Sequence, residues 1–426
     1  MLNSKRIYFI PVIGFFIIIM VASLLLFLPI SNNKPIEYKD ALFVSTSAVS
    51  TTGLSTVVVT DQFNFFGQLI IAVLMEIGAY GFIVIVSYIW SVRNKRISFS
   101  NMILINDSIS SNDFKLMKEH LLFIGKLMLK VQIWGAIFYA IKFIPRFDLL
   151  NGIWYSIFHS ISAFSNGGFD IINFYYFKDD IYIQIVTIVL MFLGSLGILV
   201  IEDIKNNKSR KFNRLKLQTQ IVLAVSIVVI IVPSIIMTMI EPNCNIINSA
   251  FITISSRSTG FVVYQMNLLS VVSRVMLIIL MLIGGGPAST SGGIRILPFS
   301  IVGATIIATL KGQNQTILFN KKIPEFLIKK SFVIVTLFIV ILFILISLFY
   351  TLNNIGLENI IFECVSAATN TGFSVSDYSQ INFAGELILI ILMFIGRVGP
   401  LSIFLVFLKE DHKGSFIEYP EGNIVI

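Results

Sequence analysis

Four times along this chain of 426 residues, two small or polar residues precede a glycine that an apolar residue follows, and a long apolar segment lies on either side. The four loops are Thr51-Thr52-Gly53-Leu54, Asn166-Gly167-Gly168-Phe169, Ser258-Thr259-Gly260-Phe261 and Asn370-Thr371-Gly372-Phe373. Each following segment carries a second glycine signature: Gly78-Ala79-Tyr80-Gly81, Gly194-Ser195-Leu196-Gly197, Gly284-Gly285-Gly286-Pro287 and Gly396-Arg397-Val398-Gly399. The distances are 25 residues (Gly53 to Gly78), 26 (Gly168 to Gly194), 24 (Gly260 to Gly284) and 24 (Gly372 to Gly396). So constant a spacing marks an internal repeat, one structural unit written four times.

Composition says where such a unit lives. The chain is 56% hydrophobic and 13% charged, with a mean hydropathy of +0.88, which makes it a membrane protein. Eight apolar segments can be drawn, at 7–30, 66–90, 116–144, 181–200, 217–240, 268–310, 332–350 and 383–408. Most reach the roughly 20 residues that a helix needs to cross the hydrocarbon. The first is long and lacks a small-x-small cleavage pattern, so we read it as a retained helix. The sixth is too long for one span and is interrupted at 284–293.

Basic residues cluster after the even-numbered segments: Arg93, Lys95, Arg96, Lys115 and Lys118; Lys205, Lys208, Arg210, Lys211, Arg214 and Lys216; Lys311, Lys321, Lys322, Lys329 and Lys330; and Lys5, Arg6, Lys409 and Lys413 flank the two ends. The positive-inside rule then puts both termini in the cytoplasm. The outer connections carry the four loops, each after a half-apolar stretch at 40–49, 151–164, 248–256 and 359–368. These stretches are too short to span and too apolar for ordinary loops, which predicts re-entrant half-helices. Ten residues before the loop glycines stand Phe43, Phe158, Ala250 and Phe362, and five before them Ala48, Ala163, Ser255 and Ala367. The expected fold is therefore an all-α membrane protein of four span, half-helix, loop, span repeats around a central pore. The repeats run over 1–92, 93–205, 206–311 and 312–409, followed by a cytoplasmic tail at 410–426.

Irregular backbone at membrane depth persists only where it is buried in protein or lines a water-filled cavity. Four such loops on one axis would present rings of carbonyl oxygens, the ligands that replace the water of an alkali cation. Thr51, Thr52, Gly53, Asn166, Gly167, Gly168, Ser258, Thr259, Gly260, Asn370, Thr371 and Gly372 are the candidate ion-binding residues. No loop has a carboxylate just before its glycine, which points to a weakly held monovalent ion rather than a divalent one. Half-helix C-termini aimed at the centre would add partial negative charge.

The break formed by Gly284, Gly285, Gly286, Pro287, Ala288, Ser289, Thr290, Ser291, Gly292 and Gly293 reads as a flexible gate beneath that site, with a packing kink as the plainer alternative. Arg397, at the same depth in the last span, would either hydrogen-bond loop carbonyls in the shut state, present a positive barrier to the ion, or form a structural ion pair. Arg257 is expected to brace its loop by pairing with Glu363. Glu76 is expected in a local pair or hydrogen bond, and His159 as a satisfied packing histidine. Asp170, Asp179, Asp180 and Asp377 form an acidic outer vestibule or are simply solvated. Cys244 and Cys364 suggest neither a disulfide nor zinc. No H-E-x-x-H, G-x-S-x-G or Walker pattern occurs, so an enzyme is not expected. A cation-coupled carrier is the alternative to a pore, although no titratable residue stands at a loop centre.

Ser47-Ala48-Val49-Ser50-Thr51-Thr52-Gly53-Leu54, Phe394-Ile395-Gly396-Arg397-Val398-Gly399-Pro400 and Tyr419-Pro420-Glu421-Gly422 resemble the signatures of the Trk/Ktr/HKT superfamily of potassium transporters. The likeness covers nearly the whole chain and is greatest to the KtrB-type membrane subunit of bacterial Ktr systems. The resemblance implies potassium uptake across the bacterial cell membrane through a fourfold pseudosymmetric pore, with the four glycines in its filter. It implies a gate at 284–293 opposed by Arg397, a homodimer in the lipid, and an octameric ring of cytoplasmic nucleotide-binding RCK subunits docked on the basic face. It leaves sodium dependence open, and no nucleic-acid partner is implied. Related pores with serine at the first filter glycine favour sodium, so Gly53 points to potassium. The departures are Gly167 where relatives often carry alanine, Asn370-Thr371 in place of Thr-Val, and Pro287 and Ser291 among the glycines of the gate.

Overall fold

The structure is a computed structural model that describes residues 5–80, 114–207 and 211–399. Several sequence expectations lie outside these residues: Gly81, Arg93, Lys95, Arg96, Lys208, Arg210, Pro400, the Tyr419-to-Gly422 motif and the tail at 410–426. Among the described residues the chain is almost wholly helical, with one two-stranded hairpin (β1, Ile317–Leu318; β2, Lys321–Lys322).

Four long helices open the four units: α1 (Lys5–Phe27), α5 (Phe114–Phe147), α9 (Leu217–Ile240) and α13 (Glu325–Leu352). They leave large apolar side chains exposed, among them Phe16, Leu24, Trp134, Ile141, Val228, Ile231, Phe343 and Ile344. A bilayer would cover this surface, so these helices form the outer, lipid-facing layer. The half-helices are α2 (Tyr38–Ser50), α6 (Leu149–Phe164), α10 (Ile246–Ser255) and α14 (Leu357–Ala368), with the one-turn helix α3 (Val59–Gln62) following the first loop. Their loop-proximal ends are fully enclosed, from Phe43 through Ser50 in α2 and from Phe362 through Ala368 in α14. The inner helices are α4 (Phe65–Tyr80), α7 (Ile181–Leu196), α11 (Val271–Ile283) and α15 (Phe383–Val398). Side chains satisfy the free N–H groups at their starts. Asn64, Asp180, Ser270 and Asn382 accept from the backbone of Gly67, Ile183, Ser273 and Gly385.

The packing closes on itself. Each half-helix lies against the opening span of its own unit and also against the inner helix of a neighbour: α2 on α15, α6 on α4, α10 on α7 and α14 on α11. The first unit therefore touches the fourth as directly as the second touches the first.

One expectation changes. Among the described residues three helices are long and apolar enough to span alone, and five more, at Val12–Phe27, Phe65–Ala79, Ile246–Ser255, Val271–Ile283 and Ile296–Leu310, are shorter apolar helices. The segment at 181–200 does not run straight: α7 stops at Leu196, and α8 (Ile198–Asn206) leaves it at 91°. Gly197 makes that corner at φ +88°, with the Pro287 carbonyl where a Cβ would stand. The sixth segment is broken as expected, into α11 and α12 (Ile296–Leu310).

Candidate functional site

The half-helices end where the loops begin, and the loops share one conformation. The residue two before each glycine has positive φ: Thr51 (55°), Asn166 (53°), Ser258 (94°) and Asn370 (53°). The glycines follow at 90°, 67°, 82° and 93°. Asn tolerates the left-handed region, but a β-branched Thr51 there is an outlier that its surroundings must impose. In three units the next N–H returns to the half-helix, from Thr52 to Ser47, Gly167 to Ser162 and Thr371 to Ser366, at 2.8 to 2.9 Å. This is the closure of a helix by a left-handed residue. In the third unit Thr259 and Gly260 N–H both reach the Ser255 carbonyl, at 2.9 and 3.2 Å, so the five-residue closure falls one residue later in register.

The same shift corrects the sequence alignment. Ser162 donates to the Phe169 carbonyl and Ser255 to the Phe261 carbonyl, each at 2.8 Å, so Ser255 plays the part of Ser162, and Phe251 rather than Ala250 matches Phe158.

The four glycines meet in a closed ring. A Cβ on Gly53 would stand 2.8 Å from the Gly167 carbonyl oxygen and 3.0 Å from Gly168 Cα. On Gly168 it would strike the Thr259 carbonyl, on Gly260 the Thr371 carbonyl, and on Gly372 the Thr52 carbonyl. Each glycine is thus the neighbour of the residue preceding the next glycine, and the fourth returns to the first. Side chains behind the loops join them as well. Thr259 donates to Asn166 Oδ1 at 2.8 Å, Asn370 Nδ2 to Thr52 Oγ1 at 3.0 Å, and Ser258 to the Asn370 carbonyl at 2.9 Å. Gly167 is small because Met75 fills the place of its side chain, with Cγ 2.9 Å from where a Cβ would sit.

The second glycine signature has a matching cause. A Cβ on Gly78, Gly194 or Gly396 would hit the carbonyl of Val49, Phe164 or Ala368, each four residues before its loop glycine. The inner helix of each of these units needs a glycine to slide under the end of the half-helix, which is why the spacing is constant.

The 284–293 segment lies directly against this ring. Asn166 Nδ2 donates to Thr290 Oγ1 at 2.7 Å and Gly292 N–H to Ser258 Oγ at 3.0 Å. On its other side Gly286 N–H donates to the Ser195 carbonyl at 2.8 Å. Arg397 joins ring and segment: it donates to Thr51 Oγ1 at 3.0 Å, to the Thr290 carbonyl and to the Gly78 carbonyl. All three acceptors are neutral, and one of them, the Thr290 carbonyl, belongs to the 284–293 segment.

Other expectations divide. Glu76 accepts from Gln132 Nε2, the local hydrogen bond foreseen. Arg257 does not pair with Glu363. It is fully buried, and donates through Nε to the Gly284 carbonyl at 3.1 Å and through Nη2 to Ser226 at 3.2 Å. Glu363 turns to the far side of its own loop, where Ser374, Val375, Ser376 and Tyr378 all donate to it. Asp170 also turns inward, to His159 Nε2 at 3.0 Å. Asp180 caps α7 and faces Lys142 at 3.7 Å, while Asp377 accepts from Ser379 N–H and stays at the surface. That bond holds the Asp377 carboxyl below its ordinary range.

Loops converging from four directions on one ring of backbone, inside a helical shell with an apolar exterior, define a membrane transport protein. The chain belongs to the TrkH family, described as cation transport protein, whose model it matches over residues 4–419. It is 29% identical over 429 residues to the Ktr system potassium uptake protein B of Bacillus subtilis, covering 97% of this chain and 95% of that one. It is 30% identical over 433 residues to the potassium/sodium uptake protein NtpJ of Enterococcus hirae, with the same coverage. Its fold matches the potassium transporter TrkH from Vibrio parahaemolyticus with a TM-score of 0.79 at 17% identity, over 96% of this chain and 86% of that one. The Trk/Ktr membership expected from the sequence therefore holds, and the chain is a membrane cation transporter.

Proposed function

We propose that this chain is the ion-translocating subunit of a Trk/Ktr-type potassium uptake system, conducting through the ring of Gly53, Gly168, Gly260 and Gly372. The observation that carries this reading is the closed circuit of glycine-to-carbonyl contacts. It sets the backbone of Thr52, Gly167, Thr259 and Thr371 around one axis, and a ring of carbonyl oxygens suits a dehydrated alkali cation. No titratable side chain stands in the ring, which favours a pore over a proton-coupled carrier. Potassium is the ion carried by the relatives' names, and sodium appears in one of them.

In this reading the chain comprises eight spans in four repeats, at 1–92, 93–205, 206–311 and 312–409. Both termini and the basic connections face the cytoplasm. The 284–293 segment shuts the pathway by hydrogen-bonding across the underside of the ring, and Arg397 locks it there. Two copies pair in the membrane, and a ring of cytoplasmic nucleotide-binding subunits on the basic face pulls the segment aside. Uptake is driven by the membrane potential, whose pull on one charge is about 2.3 kcal/mol per 100 mV. Expression in a bacterium lacking its own potassium importers, with and without a nucleotide-binding partner, tests the reading. Growth at low potassium is expected with the partner and reduced growth without it; no rescue under either condition, with protein present in the membrane, would contradict it.

A further inference from the structure

The residues that follow the loop glycines need an anchor of their own, because they leave the ring without secondary structure. In the fourth unit that anchor is Glu363, nine residues before Gly372 and 1% exposed. Its Oε1 accepts from Ser374 Oγ at 2.8 Å and from the N–H groups of Val375 and Ser376, both at 2.9 Å. Its Oε2 accepts from Tyr378 Oη at 3.2 Å. Four donors from one stretch of chain converge on a single side chain of the half-helix.

The second unit has a counterpart at the same place. His159, nine residues before Gly168 and fully buried, stands among the rings of Tyr139, Phe143, Phe158, Phe174 and Phe261. The Tyr155 carbonyl lies 2.8 Å from Nδ1, and a carbonyl can only accept, so Nδ1 carries a hydrogen and Nε2 is aimed at Asp170. Asp170 in turn accepts from the N–H of Ile172 at 2.9 Å and from that of Phe174. Here two side chains do what Glu363 does alone. In the first and third units the equivalent positions are Val44 and, with the one-residue shift, Ile252; both are fully buried and apolar.

We propose that Glu363 and the His159–Asp170 pair are positioning residues that fix the outer wall of the ion pathway in the second and fourth units. These units lie across the ring from one another, so at this offset one diagonal carries polar anchors and the other buried apolar residues; the first unit has a single bond at another offset, from Thr56 Oγ1 to Asp40 Oδ1 at 2.7 Å. Both anchors act through backbone: they hold the chain just beyond the glycines and so set the separation of the ring oxygens. The inference rests on the ring being the selective site.

The experiment is potassium and sodium flux in proteoliposomes, read as a ratio, with size-exclusion elution confirming the fold. Glu363→Ala is expected to lower the potassium-to-sodium ratio by about tenfold, since it strands several buried donors. Glu363→Gln keeps the oxygen that takes three of the four bonds, and is expected to stay within about twofold of the parent. Should Glu363→Ala not fold, Ser374→Ala with Tyr378→Phe removes two donors from outside the half-helix, and is expected to lower the ratio about threefold. Asp170→Ala is expected to act in the same direction. A merely structural role would reduce the amount of folded protein and leave the ratio alone, and that result overturns the proposal. Gly372→Ser serves as the control that separates the two readings. If it changes the ratio and neither the Glu363 variant nor the donor pair does, the anchors fail and the ring stands. If Gly372→Ser has no effect on selectivity, the ring itself is the wrong site.

Discussion

Replacing Gly53 by serine is expected to lower the preference for potassium over sodium by about tenfold or more, with smaller effect on the amount of folded protein. Gly53 sits at φ +90°, and the added Cβ would stand 2.8 Å from the Gly167 carbonyl oxygen. A side chain in that conformation costs roughly 1–3 kcal/mol. Relief comes from moving either this loop or the second, and both supply the ring. A change of about 1.4 kcal/mol in the balance between two ions is tenfold in their ratio. Potassium and sodium flux measured on the same proteoliposomes checks it; an unchanged ratio would remove Gly53 from the site.

Arg397→Ala is expected to raise basal potassium flux in the absence of any cytoplasmic partner by roughly ten- to a hundredfold. The guanidinium ties Thr290 of the 284–293 segment to Thr51 and Gly78 of the first unit. Hydrogen bonds from a charged donor contribute about 1.5–3 kcal/mol each, so loss of the set shifts the segment substantially toward release. On the proposed pathway, removing the arginine also removes a positive charge from beside the ion. Deleting several residues between Gly286 and Gly292 should act in the same direction. A folded Arg397→Ala protein with no flux would mean that the side chain supports the conducting state instead.

Much of this arrangement was legible in the sequence because it is repeated. One glycine-bearing loop is weak, but four at a constant distance from a second glycine implied that the two sets meet. The structure gives the reason in the carbonyls of Val49, Phe164 and Ala368 that press on Gly78, Gly194 and Gly396. The half-helices followed from length and hydropathy alone.

What the sequence concealed depends on direction rather than on residue type. Arg257 and Glu363 looked like partners because both are charges near loops, yet they point to opposite sides of the ring. Arg257 reaches a carbonyl on the inner side and Glu363 the chain on the outer side. The 91° corner after Leu196 was hidden because the Gly194-to-Gly197 signature sits inside an apolar run of span length, and only its neighbour Pro287 reveals why Gly197 is there. The one-residue shift in the third unit escaped notice because Ala250 and Phe251 are both plausible core residues. His159 was foreseen as satisfied, which it is; its bond to Asp170 was not, since the two lie on different sides of the loop that joins them.

The most direct test of the account is the position of the ion. Crystals or frozen grids prepared in thallium or rubidium, with a sodium control, would locate the heavy cation by anomalous scattering or difference density. A peak is expected on the axis enclosed by the carbonyls of Thr52, Gly167, Thr259 and Thr371, weakened in sodium. An intact protein with its cation bound elsewhere, or with no density between those four carbonyls, would contradict it.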